Sequence, residues 1–183
     1  SAWHQLGCLH CAVPPNTPDN GPVTPGTWNH AGETMSVWPG HNHPLGATWG
    51  EEATNFAVYA PRAEQVWVCL FDDAGTETRH RLTEHSLGIW HGAIPGVRIG
   101  ATYGYRVDGP WDPDRGLRFN PSKLLLDPYA RAVTGDVSVD PAIFGYVMGD
   151  PLARSETDSA PFMPRSVVVH DDFDWCGDTP MFR

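Results

Sequence analysis

The sequence has no apolar run long enough to cross a membrane, which takes roughly 20 consecutive residues. It is also poor in positive charge, with 12 Lys and Arg against 22 Asp and Glu and a formal charge of -10. Nucleic-acid phosphate and anionic lipid both attract basic surfaces, so neither is an expected partner. A neutral ligand or a protein is expected instead. No charged-then-apolar leader is recognisable at the N-terminus, so the cytoplasm is the expected compartment.

Cysteine is scarce, with four in 183 residues. Cys69 stands inside an apolar run, where a small buried thiol is the expected state. Cys8 and Cys11 form a CxxC near His4 and His10, a spacing that can begin a zinc site or a redox motif. Because no second pair follows, the sequence predicts no metal site, and a zinc protein remains only a rival hypothesis.

No sustained helical period is present, whereas the chain contains 19 Gly, 18 Pro and 8 Trp. This composition favours short strands joined by turns and predicts an all-β fold. The apolar alternation predicts strands NFAVYA at 55–60, QVWVCLF at 65–71, TETRHRL at 76–82, GIWHGAI at 88–94 and TYGYRV at 102–107. The second is apolar on both faces, which is typical of a covered central strand, and the charged third suits an edge. Antiparallel strands at this spacing predict an immunoglobulin-like β-sandwich.

Three regions follow from these patterns. Residues 1–34 are rich in Pro, Gly, Asn and Thr and are expected to be a disordered or non-native tail, since Met35 opens a denser pattern. Residues 35–115 are the predicted sandwich. Residues 116–183 are a predicted Pro-rich linker, with a flexible loop at 149–164 and a last short strand within 166–173.

The stretch RFNPSKLLLDPYARA at 118–132 places three leucines between Lys123 and Asp127. Such a run buries itself, either against the sandwich or against a further domain, and the sequence leaves both possibilities open. Asp127 precedes a proline and is expected to form a turn, whereas Lys123 is expected to be a solvated charge. Either side chain is also able to hydrogen-bond across a contact between domains.

Several of these segments together resemble the N-terminal part of bacterial glycogen debranching enzymes of the isoamylase type, in glycoside hydrolase family 13. The resemblance is carried by NFAVYAPRAEQVWVCLF, by YGYRVDGPWDP followed by RFNPSKLLLDPYA, and by SVVVHDDFDW, and it covers about residues 37–183. It implies a β-sandwich of carbohydrate-binding module family 48. In that family a (β/α)8 barrel follows, carries the catalytic residues and hydrolyses α-1,6 branch linkages in glycogen-like glucans without a cofactor.

The chain stops about where the resemblance places the first barrel strand, so it is expected to be an inactive fragment. The resemblance also places the leucine stretch between sandwich and barrel. It thereby implies a contact with the missing barrel by Asn120, Lys123, Leu124, Leu125, Leu126, Asp127 and Tyr129. Folding of at least two leucines onto the sandwich is the equally weighted alternative.

Glucan binding would need aromatic rings, because a sugar offers an apolar C–H face and a rim of hydroxyl groups. The candidates are Trp90, Tyr103, Tyr105 and Trp111, with Arg106, Asp108 and Asn120 as polar neighbours. Burial in the core is the more common state of such rings, and Trp111, in a Pro- and Asp-rich loop, is the best candidate for exposure. The rival function is a scaffold that binds no sugar and acts only through protein contacts.

Paired carboxylates are the groups that glycoside hydrolysis or a calcium ion would use. Each pair here adjoins Gly, Pro or a turn, so turn formation and solvation are expected. The pairs are Glu51 and Glu52, Asp72 and Asp73, Asp112 and Asp114, and Asp171 with Asp172 and Asp174. His41 and His43 are likewise expected in a solvated loop. No catalytic residue, metal ligand or cofactor is predicted.

Overall fold

The computed structural model describes residues 36–170, which form strands and three single-turn 3-10 helices but no α-helix. The strands are β1 (Gly46–Thr48), β2 (Ala53–Tyr59), β3 (Gln65–Phe71), β4 (Glu77–Arg81), β5 (Glu84–Ser86), β6 (Ile89–Pro95), β7 (Thr102–Asp108), β8 (Trp111–Asp112), β9 (Leu117–Arg118), β10 (Val133–Thr134), β11 (Tyr146–Val147), β12 (Asp150–Arg154) and β13 (Arg165–Val167). The 3-10 helices are η1 (Pro113–Arg115), η2 (Pro141–Ile143) and η3 (Ala160–Phe162). The all-β prediction is confirmed. The predicted tail, the CxxC and the Asp171–Asp174 cluster lie outside the described residues.

Two antiparallel sheets form the predicted sandwich. The first has the strand order β1-β2-β6-β5, and the second has the order β10-β13-β7-β3-β4. The long pairs β2 with β6 and β3 with β7 form the centres of the two sheets. Strand β4 lies at an edge with mostly exposed side chains, as its charged sequence predicts.

The central core lies between the sheets and is built from the alternate residues of the long strands. Phe56 of β2 meets Tyr103 of β7 across it, with ring centroids 5.1 Å apart in a T-shaped arrangement. Val66 and Val68 of β3 are fully buried beside them. One set of alternate side chains from β2 and β3 therefore fills the space between the sheets.

The outer face of β3 is covered as well, which confirms the prediction of a strand buried on both sides. Cys69 and Phe71 form a second apolar cluster with Leu124 and Ala160, and Trp67 packs against it. Cys69 is fully buried, as expected, and burial together with the neighbouring Glu77 carboxylate raises the pKa of its thiol. This thiol is inert under ordinary conditions.

The leucine stretch covers part of the outer face of β3 through Leu124. The backbones of Tyr105 and Leu125 exchange two hydrogen bonds of 2.8 Å, so the stretch lies beside the part of β7 that β13 leaves unpaired. A Cβ atom on Gly104 would lie 2.8 Å from Leu124 Cδ1, so only glycine lets the stretch approach this closely. Leu124 is 2% exposed, Leu126 is partly buried and Leu125 is 44% exposed. The leucine run is thus largely explained by the sandwich itself.

The second sheet continues past residue 115, where the sequence pattern placed the end of the sandwich. Strand β13 pairs with β7, and β10 pairs with β13. The predicted last strand is therefore present, beginning at residue 165. Strands β1 and β5 were not predicted, because a strand of three residues is too short to show an alternation of apolar and polar residues.

The prediction of a flexible loop at 149–164 is wrong. This segment contains β12 and η3, and its backbone accepts hydrogen bonds from distant side chains. Trp111 Nε1 donates to Leu152 O at 2.7 Å, and Asn120 Nδ2 donates to Ser155 O at 2.8 Å. Its polar composition suggested mobility, but its backbone oxygens are held by side chains from distant segments.

The burial of the leucines predicts unequal effects of their removal. Leu124→Ala should lower the free energy of unfolding by about 3 kcal/mol, because a buried leucine is replaced by a cavity. Leu125→Ala should lower it by less than about 1 kcal/mol, because that side chain is already half exposed. Urea unfolding followed by tryptophan fluorescence measures both. Equal losses in the two variants would contradict the assignment of Leu124 to the second cluster.

Candidate functional site

Trp111 is the aromatic candidate whose ring remains partly exposed, and it lies on the two-residue strand β8. Its indole N–H is fixed by Leu152 O, and the Arg118 guanidinium lies 5.9 Å from the ring centroid. A Cβ on Gly145 would stand 3.8 Å from the far edge of the indole, so the backbone at 145 packs closely beside it. Trp111 therefore has a fixed orientation and a cationic neighbour at the surface.

Two further aromatic residues lie in the same region and were missed by the sequence reasoning. Phe144 and Tyr146 are partly buried, with ring centroids 5.6 Å apart, on either side of Gly145. Asn120 holds the backbone of this segment through Nδ2, which donates to Gly145 O at 3.1 Å. No local signal connects residues more than thirty positions from Trp111, so only the folded chain places them near it.

Tyr103 and Tyr105 are each 1% exposed, and their prediction as glucan contacts is wrong. Both rings point from β7 into the central core, where they meet edge to face at 6.0 Å. The Tyr103 hydroxyl donates to Asp127 Oδ2 at 2.6 Å. Burial, followed by the nearby Asp127 charge, raises the pKa of both phenols, so both remain neutral.

Trp90 is also largely buried, which makes it unsuitable as a sugar platform. Its indole N–H donates to Ala60 O at 3.1 Å. The His85 ring stacks on the Trp90 indole with ring centroids 4.7 Å apart, so one face of the indole is already covered. The prediction of Trp90 as a glucan contact is therefore wrong.

Four of the residues predicted to contact a barrel are buried within the sandwich: Asn120, Lys123, Leu124 and Asp127. Asp127 acts as the predicted turn former, since its Oδ1 accepts the Tyr129 N–H at 2.8 Å. Its carboxylate is buried, however, and burial raises its pKa against the hydrogen bonds from Tyr103 and Tyr129. It is not available to another domain. Leu125 and Tyr129 remain exposed, and Leu126 is partly so.

Lys123 was expected to be solvated, but its ammonium group is buried and donates three hydrogen bonds. The acceptors are Ala142 O at 2.8 Å, Ser155 Oγ at 3.1 Å and Thr157 O at 2.6 Å. Burial lowers the pKa of Lys123, although the Asp158 and Glu156 carboxylates oppose this change. The prediction failed because every acceptor comes from a distant segment.

Arg106 lies beneath the leucine stretch, and its side chain is fully buried. Its guanidinium makes hydrogen bonds at 2.7 Å and 2.5 Å to the two Glu77 oxygens, one at 2.7 Å to Asp158 Oδ1 and one at 3.0 Å to Pro121 O. Burial would lower the pKa of Arg106, but these carboxylates raise it overall, so the group stays charged. Arg106 is therefore a structural residue rather than a neighbour of a bound sugar.

The carboxylates near turns behave as expected where they are described. Asp72 Oδ1 accepts the Thr76 N–H at 2.7 Å, and this hydrogen bond lowers the pKa of Asp72. Between residues 36 and 170 no group of three or more His, Cys, Asp or Glu side chains is placed to hold a metal ion. Nor does that part of the chain contain a helix long and apolar enough to cross a membrane.

The Arg106 ion pair predicts a pH-dependent stability. Burial would raise the pKa of Glu77, but hydrogen bonds led by Arg106 lower it below its usual value. Ionised Glu77 therefore stabilises the fold above about pH 4.3, and this contribution is lost as the pH falls through the lowered pKa. Glu77→Gln should reduce the free energy of unfolding by about 3 kcal/mol at pH 7.

The matched control is Glu64→Gln, which changes an exposed carboxylate. We expect this control to stay within about 0.5 kcal/mol of the parent protein. Urea unfolding at pH 7 and at pH 3.5 measures both variants, and the deficit of Glu77→Gln should shrink at the lower pH. If Glu77→Gln lowers the free energy of unfolding equally at both pH values, the negative charge of Glu77 is not what stabilises the fold.

Comparison with known proteins agrees with this architecture. Residues 44–130 match the family described as carbohydrate-binding module 48 (isoamylase N-terminal domain). The chain is 49% identical over 146 residues to a glycogen debranching enzyme of Erwinia tasmaniensis, covering 79% of this chain and 21% of that protein. It is 48% identical over 146 residues to one of Cronobacter sakazakii, covering 80% and 22%. The chain thus spans about a fifth of the length of these curated relatives.

Among solved structures, the chain is similar to a pullulanase from Bacillus acidopullulyticus, with 21% identity, a TM-score of 0.47 and coverage of 78% of this chain and 14% of that one. A pullulanase from Anoxybacillus sp. LM18-11, solved with maltotriose, matches at 28% identity with a TM-score of 0.41 and coverage of 50% and 12%. The residues that match the module family, 44–130, contain most of the strands of the two sheets. Residues 44–130 are therefore similar to the carbohydrate-binding module 48 (isoamylase N-terminal domain) family.

Proposed function

We propose that this chain is the N-terminal module of a cytoplasmic glycogen debranching enzyme, which hydrolyses α-1,6 branch linkages in glycogen-like glucans. The observation that carries the proposal is the 49% identity over 146 residues to a protein of that name, a similarity that extends beyond the 87 positions of the module match. In this proposal the chemistry belongs to a catalytic barrel, and the described residues provide binding and positioning.

Positioning of the barrel is supported by an exposed apolar surface on a fixed backbone. Leu125 and Tyr129 are 44% and 49% exposed. The stretch that carries them is held by the backbone hydrogen bonds between Leu125 and Tyr105 and by the buried side chain of Lys123. Apolar side chains on a rigid surface suit contact with another domain, because little ordering is needed when they are covered.

Weak binding of α-glucan is supported by Trp111. Its partly exposed indole offers an apolar face, its N–H is already fixed, and Arg118 and Asp112 stand nearby as hydrogen-bonding groups. A sugar ring packs its C–H face on such an indole while its hydroxyl groups reach the polar neighbours. With a single surface of this size the affinity should be modest.

A second candidate function, a scaffold that acts only through protein contacts, is favoured by one observation. Three of the four aromatic residues predicted to contact glucan are buried. A module without a sugar surface would still orient a catalytic domain through Leu125 and Tyr129. Binding of a glucan to the 183-residue chain distinguishes the two functions.

Maltoheptaose binding provides that test. Isothermal titration should show weak binding to the parent chain, and Trp111→Ala should weaken it about tenfold, the usual effect of removing an aromatic anchor. Trp38→Ala is the matched control, because Trp38 is 43% exposed at a different part of the sandwich. Equal affinity of both variants and the parent would remove Trp111 from the proposal. Absence of any heat of binding would favour the scaffold.

The proposal also predicts that the 183-residue chain alone releases no reducing ends from glycogen. Glu77 and Asp158, two described carboxylates that line one cavity, both accept hydrogen bonds from the same Arg106 guanidinium and are therefore engaged in ion pairs rather than available as acid and nucleophile. A reducing-sugar assay, with a complete debranching enzyme as the positive control, measures this. Hydrolysis by the purified chain would show that a catalytic pair lies within it.

A further inference from the structure

A groove of about 320 Å³ lies beside β1. One wall comes from β1 and the residue after it, through Thr48 and Trp49. The other walls come from Tyr129 and Arg131, near the end of the leucine stretch, and from His170, after β13. Trp111 is not part of its lining. Arg131 and His170 lie beyond the residues that match the module family, so the family match alone does not define this groove.

Contacts between its walls hold the groove in shape. Gly46 has φ +94°, and a Cβ atom there would lie 3.1 Å from Tyr129 Cβ, so this glycine allows Tyr129 to approach the strand. Arg131 Nη2 donates to Ala47 O at 3.1 Å and to Val169 O at 3.3 Å, which joins the three walls. The groove is therefore formed before any ligand enters, which reduces the entropic cost of binding.

The lining combines aromatic faces with hydrogen-bonding groups. Tyr129 is 49% exposed, and Trp49 packs edge to face against His170 with centroids 5.0 Å apart. The Thr48 hydroxyl adds a group that both donates and accepts hydrogen bonds. The volume is near the lower limit of small-molecule sites, roughly 300 Å³. Among the residues that the structure describes, the lining contains no carboxylate, and the Arg131 guanidinium already donates to two backbone oxygens.

We propose that this groove is a second contact for α-glucan, in which a glucose ring packs against Tyr129 or Trp49 and its hydroxyl groups reach the polar lining. The inference rests on the proposed glucan-binding function and adds a site to it. A pyranose fits because it is neutral, has an apolar C–H face and carries hydroxyl groups around its edge. Two contacts on one module increase its affinity for a long glucan by raising the effective concentration at the second contact.

Maltotriose titration of the 183-residue chain, followed by amide and indole NMR shifts, tests the proposal. We expect saturable shifts at the Thr48 amide and the Trp49 indole, and these should persist in Trp111→Ala. Tyr129→Ala should raise the dissociation constant read from the groove shifts about tenfold. Tyr59→Ala is the matched control, because Tyr59 is 58% exposed and does not line the groove.

The outcomes separate the two proposals. If maltotriose shifts only residues around Trp111, and Tyr129→Ala binds as tightly as the parent chain, the groove is not a glucan contact while the proposed function stands. If no resonance shifts, glucan contact is overturned both at the groove and at Trp111, and the scaffold function is favoured. Each variant is first compared with the parent chain by thermal unfolding, and Tyr129→Ala is decisive because half of its side chain is already in solvent.

Discussion

The buried guanidinium of Arg106 is the constraint on which the outer half of the structure depends. A charge without solvent needs opposite charges and hydrogen-bond acceptors, and here they come from three separate parts of the chain. Glu77 is on the edge strand β4, Pro121 is in the leucine stretch and Asp158 lies before η3. One side chain of β7 thereby fixes a sheet edge and two irregular segments. Lys123 repeats this arrangement with oxygens of residues 142–157.

These polar contacts give the leucine stretch two different surfaces. Leu124 faces inward and completes the cluster around Phe71, whereas Leu125 and Tyr129 are exposed on a backbone that cannot easily move. Tyr129 also lines the groove beside β1. A module whose task is to position a catalytic domain and to contact a long glucan benefits from this rigidity, since both tasks lose affinity when mobile loops must be ordered on contact.

The central strands were predictable because their patterns are strong and local. Strand β3 was predicted at its observed bounds, since seven apolar or neutral residues between turns indicate a covered strand. Residues whose environment is formed by distant segments were not predictable. From the sequence, Tyr103 and Tyr105 were candidates for glucan contact, with burial in the core as the more common state of such rings, and Lys123 was expected to be solvated. Their burial depends on β2, the leucine stretch and residues 142–157, none of which is adjacent in sequence.

The sequence by itself determined the all-β class, the burial of β3 on both faces, the turn at Asp127 and the family resemblance, because alternation, turn chemistry and long motifs act over neighbouring positions. Only the tertiary structure decided which leucine is buried, which aromatic residues face solvent and where a groove opens. The solvent exposure of a side chain depends on which other segments of the chain pack against it. At Trp111 and Tyr129, that packing comes from segments 30 or more positions away, including Leu152 and Gly46.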